Sequence, residues 1–154
     1  ATIIFHIIDS IIVTLHNRKT SGKYVYDKRG TASKWYSRNM GILGTLILIF
    51  LVIHFKDFWY VQKFGEMPLD INGNKDLYSV VINAFNSLWY VIIYVLSIIA
   101  LGYHLLHGFY SAARTIGLYN PFYARWVNII GSIFSYIITI GFIFIPIYIY
   151  LTRL

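Results

Sequence analysis

Long apolar segments separated by shorter polar ones make up almost the whole chain. The apolar residues are concentrated at about 1–15, 39–60, 85–113 and 126–151. The last three segments are each long enough for a helix to cross a bilayer, which takes roughly 20 residues. A helix is the only single-segment structure that satisfies its own backbone hydrogen bonds in lipid. We therefore predict an all-α integral membrane protein, one domain over residues 1–154 with a bundle of four visible transmembrane helices.

The first apolar segment is shorter than the other three. At about 1.5 Å per residue, residues 1–15 reach only about 22 Å of a hydrocarbon core that is about 30 Å thick. The chain opens directly in the apolar sequence ATIIFHIIDSIIVTL, without an initiator Met and without the basic flank of a signal peptide. We therefore expect further sequence upstream of Ala1.

The composition supports a membrane protein. Charged residues make up 12% of the chain, whereas soluble domains carry about 25%, and the mean hydropathy is +0.62. The net charge of +7 does not indicate nucleic-acid binding, because seven of the 13 Lys and Arg residues lie between Arg18 and Arg38, between two apolar segments. With no Cys, the chain itself holds no disulfide, thiolate metal site or Cys-ligated iron–sulfur cluster.

The distribution of charge predicts the orientation in the membrane. Basic residues are concentrated in loop 16–38, which should be cytoplasmic by the positive-inside rule. The loop 61–84 should lie on the other side, because it carries two basic residues against three acidic ones. The turn with Arg114 and Arg125 returns to the cytoplasmic side. The C-terminus is then outside.

Small and aromatic residues are placed as expected for membrane helices. Four glycines in the second and fourth segments would let helices approach closely, and Pro146 can kink the last helix. These glycines are Gly41, Gly44, Gly131 and Gly141. The four tryptophans stand near predicted helix ends, where aromatic belts form, although one of them can also line a quinone pocket. They are Trp35, Trp59, Trp89 and Trp126.

Two histidines stand at the same predicted depth in two different helices. His6 lies 12 residues before Arg18, and His104 lies 10 residues before Arg114. At the helical rise, both are about 15–18 Å from the cytoplasmic edge. Two histidines at one depth can bind one iron from opposite sides, which points to haem b. Bis-His ligation fills both axial positions, so such a haem would serve electron transfer.

Room for a porphyrin is a second indication. Residues four apart share a helix face, and the residues four after His6 and His104 are Ser10 and Gly108, both small. The residue four after His107 is also small, so this criterion alone does not separate His104 from His107. The competing interpretation is that an intramembrane histidine only forms a hydrogen bond between helices.

The other histidines are interpreted separately. His54 lies 16 residues after Arg38, about 24 Å along the helix, and would need a second site nearer the outer face. His16 stands at the predicted inner boundary and is interpreted as interfacial, with a proton or quinone role as the alternative. His107 is interpreted as the structural partner in the third span.

A few other polar residues are candidates for function. Asp9, inside the first segment, should face the bundle or a wet cavity because of its cost in lipid; it would bond a neighbouring helix, orient a histidine or accept a proton. Ser37 and Arg38 open the second span, and Arg38 would pair with a haem propionate or anchor the helix, as would Arg114. No catalytic motif is present, so we assign no catalytic residue.

Three motifs together resemble a known family. They are FHIIDSIIVTLHNRK at 5–19, SRNMGILGTLILIFLVIHFKDFW at 37–59 and YHLLHGFYSAARTIG at 103–117, of which the third is the most specific. In order and spacing, over nearly the whole chain, they resemble the cytochrome b membrane anchor of succinate:quinone oxidoreductases, the succinate dehydrogenases and fumarate reductases. The similarity is to the type with five helices and two haems.

The resemblance implies roles for particular residues. His6 and His104 match the ligand pair of the haem nearer the iron–sulfur subunit. The resemblance therefore favours His104 over His107 as the ligand. His54 matches one ligand of an outer haem, whose partner stands on a preceding helix that this sequence lacks. That ligand would come from an upstream helix or from another chain, or the outer site would be empty. Ser37 and Arg38 are retained as cofactor-binding residues.

The resemblance also implies a function in the respiratory chain and the tricarboxylic acid cycle. A flavoprotein subunit oxidises succinate, an iron–sulfur subunit passes the electrons to the anchor, and the anchor delivers them to quinone. Loop 17–38 would dock the iron–sulfur subunit. The resemblance favours the bacterial cytoplasmic membrane over an organellar inner membrane and is compatible with a homo-oligomer of the whole complex. The alternatives are a bis-His anchor of a hydrogenase or formate dehydrogenase, and a haem-free transporter or structural subunit.

Overall fold

Helices account for nearly all regular structure in the computed structural model, which describes residues 2–20, 34–118 and 120–153. Within these ranges there is no β-strand, only an isolated bridge between Leu69 and Lys75. The elements in chain order are α1 (Thr2–Thr20), α2 (Trp35–Arg38), α3 (Met40–His54), a π-helical segment (Phe55–Tyr60), α4 (Val61–Phe64), α5 (Leu77–Ala84), α6 (Leu88–Thr115) and α7 (Pro121–Leu151).

Three of the helices are long and apolar enough to cross a membrane. They are Met40–Phe64, which joins α3, the π-helical segment and α4 and is called helix 40–64 below, Leu88–Thr115 and Phe122–Leu151. Their 25, 28 and 30 residues correspond to about 37–45 Å of helix, more than the hydrocarbon core requires. The protein is therefore an all-α membrane protein, and the second, third and fourth predicted spans are present as helices. The apolar part of α1, Thr2–Asn17, is shorter.

Local capping structures, one formed by a side chain and one by the backbone, define the two helix ends at the turn between α6 and α7. The last helix begins at Pro121 rather than near residue 126, because Asn120 caps it: the Asn120 side chain accepts a hydrogen bond from the Phe122 amide at 3.0 Å. The preceding helix ends in a Schellman-type turn, in which the Leu118 amide donates to the Ala113 carbonyl at 2.9 Å. Gly117 adopts the positive φ of 84° that this turn requires.

A short helix occupies part of the predicted outer loop. Asp76 caps α5 by accepting hydrogen bonds from the amide and the hydroxyl of Ser79. The third predicted span therefore does not begin at Phe85, which follows the end of α5, but at Leu88 after a break. Before α5, Lys75 Nζ donates to the Gln62 carbonyl at 2.8 Å and holds the loop against the end of helix 40–64.

Small residues on α7 allow close packing against the antiparallel α6. A Cβ added at Gly131 would stand 2.8 Å from Phe109 Cβ, so only glycine fits there. Toward the other end of the pair, Gly102 is in contact with Thr139. Between these contacts, Ser135 is almost fully buried and bonds the Gly131 carbonyl at 2.7 Å. The role expected for Gly131 is therefore observed.

The three other glycines differ from this expectation. A Cβ at Gly44 or Gly141 would meet no atom within 4 Å, and one at Gly41 would make only ordinary contact, 3.8 Å from Thr14 Cγ2. These positions face away from close neighbours within the described chain. Pro146 is fully buried, and α7 is helical on both sides of it.

The core is concentrated at one end of the bundle. It joins the π-helical segment, α5, α6 and α7 through the buried residues Phe58, Ile82, Phe85, Val91, Tyr94, Ile98 and Ile149. Elsewhere, large apolar side chains cover the outer surfaces of the helices, and the most exposed helix is α1, on which Ile3, Ile4 and Phe5 are all more than half exposed. Such surfaces suit lipid or a neighbouring helix, not water.

Candidate functional sites

The structure brings His6 of α1 and His104 of α6 together. Their ring centroids are 6.0 Å apart, and the ring planes are nearly perpendicular, at 85°. Two imidazoles on opposite sides of one metal ion, each with a metal–nitrogen distance of about 2.0–2.1 Å, would also have centroids about 6 Å apart. The centroid separation is thus close to that of two imidazoles that share a metal ion, and the two rings lie on the two helices from which the sequence predicts the ligands.

The His104 ring carries an unpaired polar atom. Its Nδ1 is buried and has no hydrogen-bond partner among the described residues. Leaving a buried polar group unpaired costs about 1–3 kcal/mol. One turn further along α6, a Cβ added at Gly108 would meet no atom of the described residues within 4 Å beyond its own stretch of helix. The predicted gap next to this histidine is therefore open, and the ring has unused bonding capacity.

The short helix α2 lies beside the same part of α6. Trp35 and Tyr36 pack on Tyr103, with ring centroids 6.1 and 5.8 Å away. Ser37 and Arg38, the two predicted cofactor-binding residues of this segment, therefore stand on an element that adjoins the turn of His104. Arg38 is exposed and Ser37 is partly buried. A propionate contact of Arg38 stays a prediction.

The remaining polar residues near this pair differ in their surroundings. His107 is engaged within its own helix, where Nε2 lies 3.1 Å from Ser111 Oγ, as suits a structural role. His16 and Asp9 are exposed on α1. The expectation that Asp9 faces the bundle or a wet cavity stays a prediction, because α1 packs little against the other described helices.

His54 forms a separate site. Its Nδ1 lies 3.4 Å from Tyr94 Oη, and its ring adjoins Phe50 and Phe58 at centroid distances of 5.6 and 5.3 Å. Tyr94 precedes His104 by ten residues of the same helix, about 15 Å. His54 therefore does not join the His6–His104 pair, in agreement with the depths estimated from the sequence.

A polar chain beyond His54 was not predicted. The Tyr90 hydroxyl donates to Asp57 Oδ2 at 2.8 Å and lies 3.1 Å from the Tyr94 hydroxyl. The sequence contains a signal for it, since Tyr90 and Tyr94 are four apart on one helix face and Asp57 follows His54 by three. Only the packing of α6 against helix 40–64 brings the two tyrosines into contact with His54 and Asp57.

The residues present fit a haem better than a metal ion held by protein alone. Within the described ranges no group of three or more His, Asp or Glu side chains converges as a metal site. A porphyrin supplies four nitrogen ligands itself, so the two axial histidines His6 and His104 would complete the coordination.

The sequence matches no protein-family model, no curated protein and no solved structure.

Proposed function

We propose that this chain is the cytochrome b membrane anchor of a succinate:quinone oxidoreductase, with His6 and His104 as the axial ligands of one haem b. The observation that carries the proposal is the pairing of these two rings from two helices at 6.0 Å. It is supported by the open space at Gly108 among the described residues. When bound, haem would supply one-electron transfer between the iron–sulfur subunit and membrane quinone.

The proposal includes a four-helix arrangement and an orientation. In it, α1 crosses the bilayer beside the three longer helices, and the ends at Lys34 and at the turn between α6 and α7 face the cytoplasm. The basic loop 17–38, which would dock the iron–sulfur subunit, lies mainly outside the described residues. All four tryptophans are exposed, which suits an interfacial belt.

The roles of the other predicted site residues are part of the same proposal. His54 would be one ligand of an outer haem, with the second ligand supplied by residues outside this chain. Arg38 and Ser37 would contact the inner haem. The flavoprotein subunit, the iron–sulfur subunit and quinone would be the partners, and the bacterial cytoplasmic membrane would be the location.

Haem binding is tested by absorption spectra of membranes that contain the full chain. We expect His6→Ala and His104→Ala each to abolish the reduced-minus-oxidised b-type signal of the inner haem, because one axial ligand is lost. His107→Ala, one turn further along α6, is the matched control and should retain it. An unchanged spectrum in both His104→Ala and His107→Ala would exclude His104 as a ligand.

The identity of the complex is tested separately. We expect affinity-purified chain to bring with it a flavoprotein that oxidises succinate with a quinone acceptor. Recovery of a hydrogenase or formate dehydrogenase instead would move the chain to another class of bis-His anchor. A colourless preparation would indicate a haem-free structural or transport subunit.

A further inference from the structure

The hydrogen-bond chain that begins at His54 ends on a carboxylate. In order, it contains His54 Nδ1, the Tyr94 hydroxyl, the Tyr90 hydroxyl and Asp57 Oδ2, with separations of 3.4, 3.1 and 2.8 Å. The other oxygen of Asp57 lies 3.5 Å from Lys56 Nζ, whose side chain is 79% exposed. The chain therefore runs from a histidine on one helix, through two tyrosines on α6, and back to the first helix.

The carboxylate sets the direction of every bond in this chain. An ionised Asp only accepts hydrogen bonds, so the Tyr90 hydroxyl must donate its one proton to Asp57. The Tyr90 oxygen is then left to accept, and the Tyr94 hydroxyl must donate to it. The Tyr94 oxygen in turn can only accept from His54, which requires a proton on Nδ1.

We propose that Asp57, acting through Tyr90 and Tyr94, fixes His54 as the Nδ1–H tautomer and so leaves Nε2 with a lone pair that can bind a metal centre. The tautomer of a histidine is set by the hydrogen bond of its other nitrogen. The tyrosines and Asp57 are positioning residues in this arrangement. The identity of the metal centre as haem iron rests on the proposed function, whereas the tautomer does not.

The surroundings of His54 suit an imidazole held ready for a ligand outside the chain. Phe50, Phe58 and Tyr94 adjoin the ring on the protein side, yet the residue as a whole is exposed on the surface of the described chain. The π-helical segment begins directly after His54 and contains Asp57 and Phe58. Single turns of π-helix occur frequently at functional sites.

The tautomer is measurable on the full chain without haem. Nitrogen-15 histidine spectra of the protein in nanodiscs, at a pH where the ring is neutral, distinguish the two tautomers, and His54→Gln assigns the signal. We expect Nδ1–H in the unmodified chain and a shift toward Nε2–H in both Tyr94→Phe and Asp57→Leu, because Leu removes the acceptor at the end of the chain. Tyr78→Phe, at a tyrosine that is 70% exposed and outside the chain of bonds, is the control and should change nothing.

Two results would overturn the assignment. One is a predominant Nε2–H tautomer in the unmodified chain, and the other is an Nδ1–H tautomer that persists in both variants. Helix content from circular dichroism checks folding. If Tyr94→Phe does not fold, Asp57→Leu decides the question, because it removes the acceptor at the far end of the chain and leaves Tyr94 in place.

The metal part is tested by titrating iron protoporphyrin into the chain that carries His6→Ala and His104→Ala. We expect a Soret change that is lost when His54→Ala is added, and an affinity about 10–100-fold weaker when Tyr94→Phe is added, as for loss of a partner of a metal ligand. Binding that does not depend on His54 would refute its ligand role and leave the tautomer result intact. Neither outcome bears on the His6–His104 pair.

Discussion

Asp70 shows how a single residue organises the turn before α5. Its Oδ1 accepts hydrogen bonds from the backbone amides of Asn72 and Asn74, each at 2.8 Å. These bonds, with that from Asn74 the more important, hold the pKa of the Asp70 carboxyl below its usual range. Gly73 completes the turn with a φ of 81°, a conformation that other residues rarely adopt.

The pH dependence of this turn follows from the sign of that shift. Because the pKa of Asp70 is lower in the folded turn, the ionised carboxylate stabilises it at neutral pH, and this stabilisation is lost only as the pH falls through the lowered value. We expect the Asn72 and Asn74 amide resonances to remain native-like as the pH is lowered past about 3.9, the pKa of an unperturbed Asp, and to change only at still lower pH. The measurement is an NMR titration of the Asp70 carboxyl carbon. A midpoint at or above the unperturbed value would contradict the prediction.

Single residues of the candidate sites differ in how far the sequence could predict them. The pairing of His6 with His104 could be anticipated, because counting residues from basic flanks gives depth along a membrane helix. The bonds of His54 to Tyr94 and of Asp57 to Tyr90 could not, because they depend on the rotation of α6 relative to helix 40–64. The sequence shows which residues share a face of each helix, but it does not show which faces of two helices pack together.

At the scale of elements, the apolar segments determine the long helices, and local polar residues determine where they begin. Lipid leaves an apolar segment no other partner for its backbone, so three spans could be predicted from composition alone. The early start of α7 follows from Asn120 and Pro121, a helix-start signal that is present in the sequence but is not part of the hydropathy pattern. The π-helical segment at Phe55–Tyr60 is not encoded by any apolar pattern, although its Phe58 is buried in the core.

The contact between Gly102 and Thr139 sets how closely α6 and α7 approach. A Cβ at Gly102 would overlap Thr139 Oγ1 and would stand 3.1 Å from Thr139 Cγ2. We expect Gly102→Ala to lower the free energy of unfolding by about 1–3 kcal/mol, the usual cost of overpacking. In a Thr139→Ala background, the cost of Gly102→Ala should fall, because both overlapping atoms are gone.

The measurement for this contact is thermal unfolding in detergent, followed by circular dichroism, for the two single variants and the double variant. Gly141→Ala on α7 is the matched control, since a Cβ there would meet no atom within 4 Å. It should leave the midpoint unchanged or raise it slightly through better helix propensity. Equal losses from Gly102→Ala with and without Thr139 would show that this contact does not limit the packing.

At the scale of the whole molecule, the orientation is open to a labelling experiment because the chain has no Cys. Lys34, Asn72 and Arg153 are exposed outside the long helices, the last beyond the end of α7. We expect Asn72→Cys and Arg153→Cys to react with an impermeant thiol reagent in intact cells, and Lys34→Cys only after permeabilisation. The reverse pattern would invert the proposed orientation. Labelling of Asn72→Cys and Arg153→Cys from different sides would mean that α6 and α7 do not both cross the membrane.

Whether α1 crosses the bilayer decides between three and four membrane helices. Its apolar part, Thr2–Asn17, gives about 24 Å of helix, somewhat less than the roughly 30 Å of a hydrocarbon core. If it crosses, Ile3→Cys should react from the side of Asn72, and Lys19→Cys from the side of Lys34. Reaction of both from the side of Lys34 would mean that α1 lies along the surface. His6 would then no longer be held at the depth of His104, and the proposed haem site would lose its second ligand.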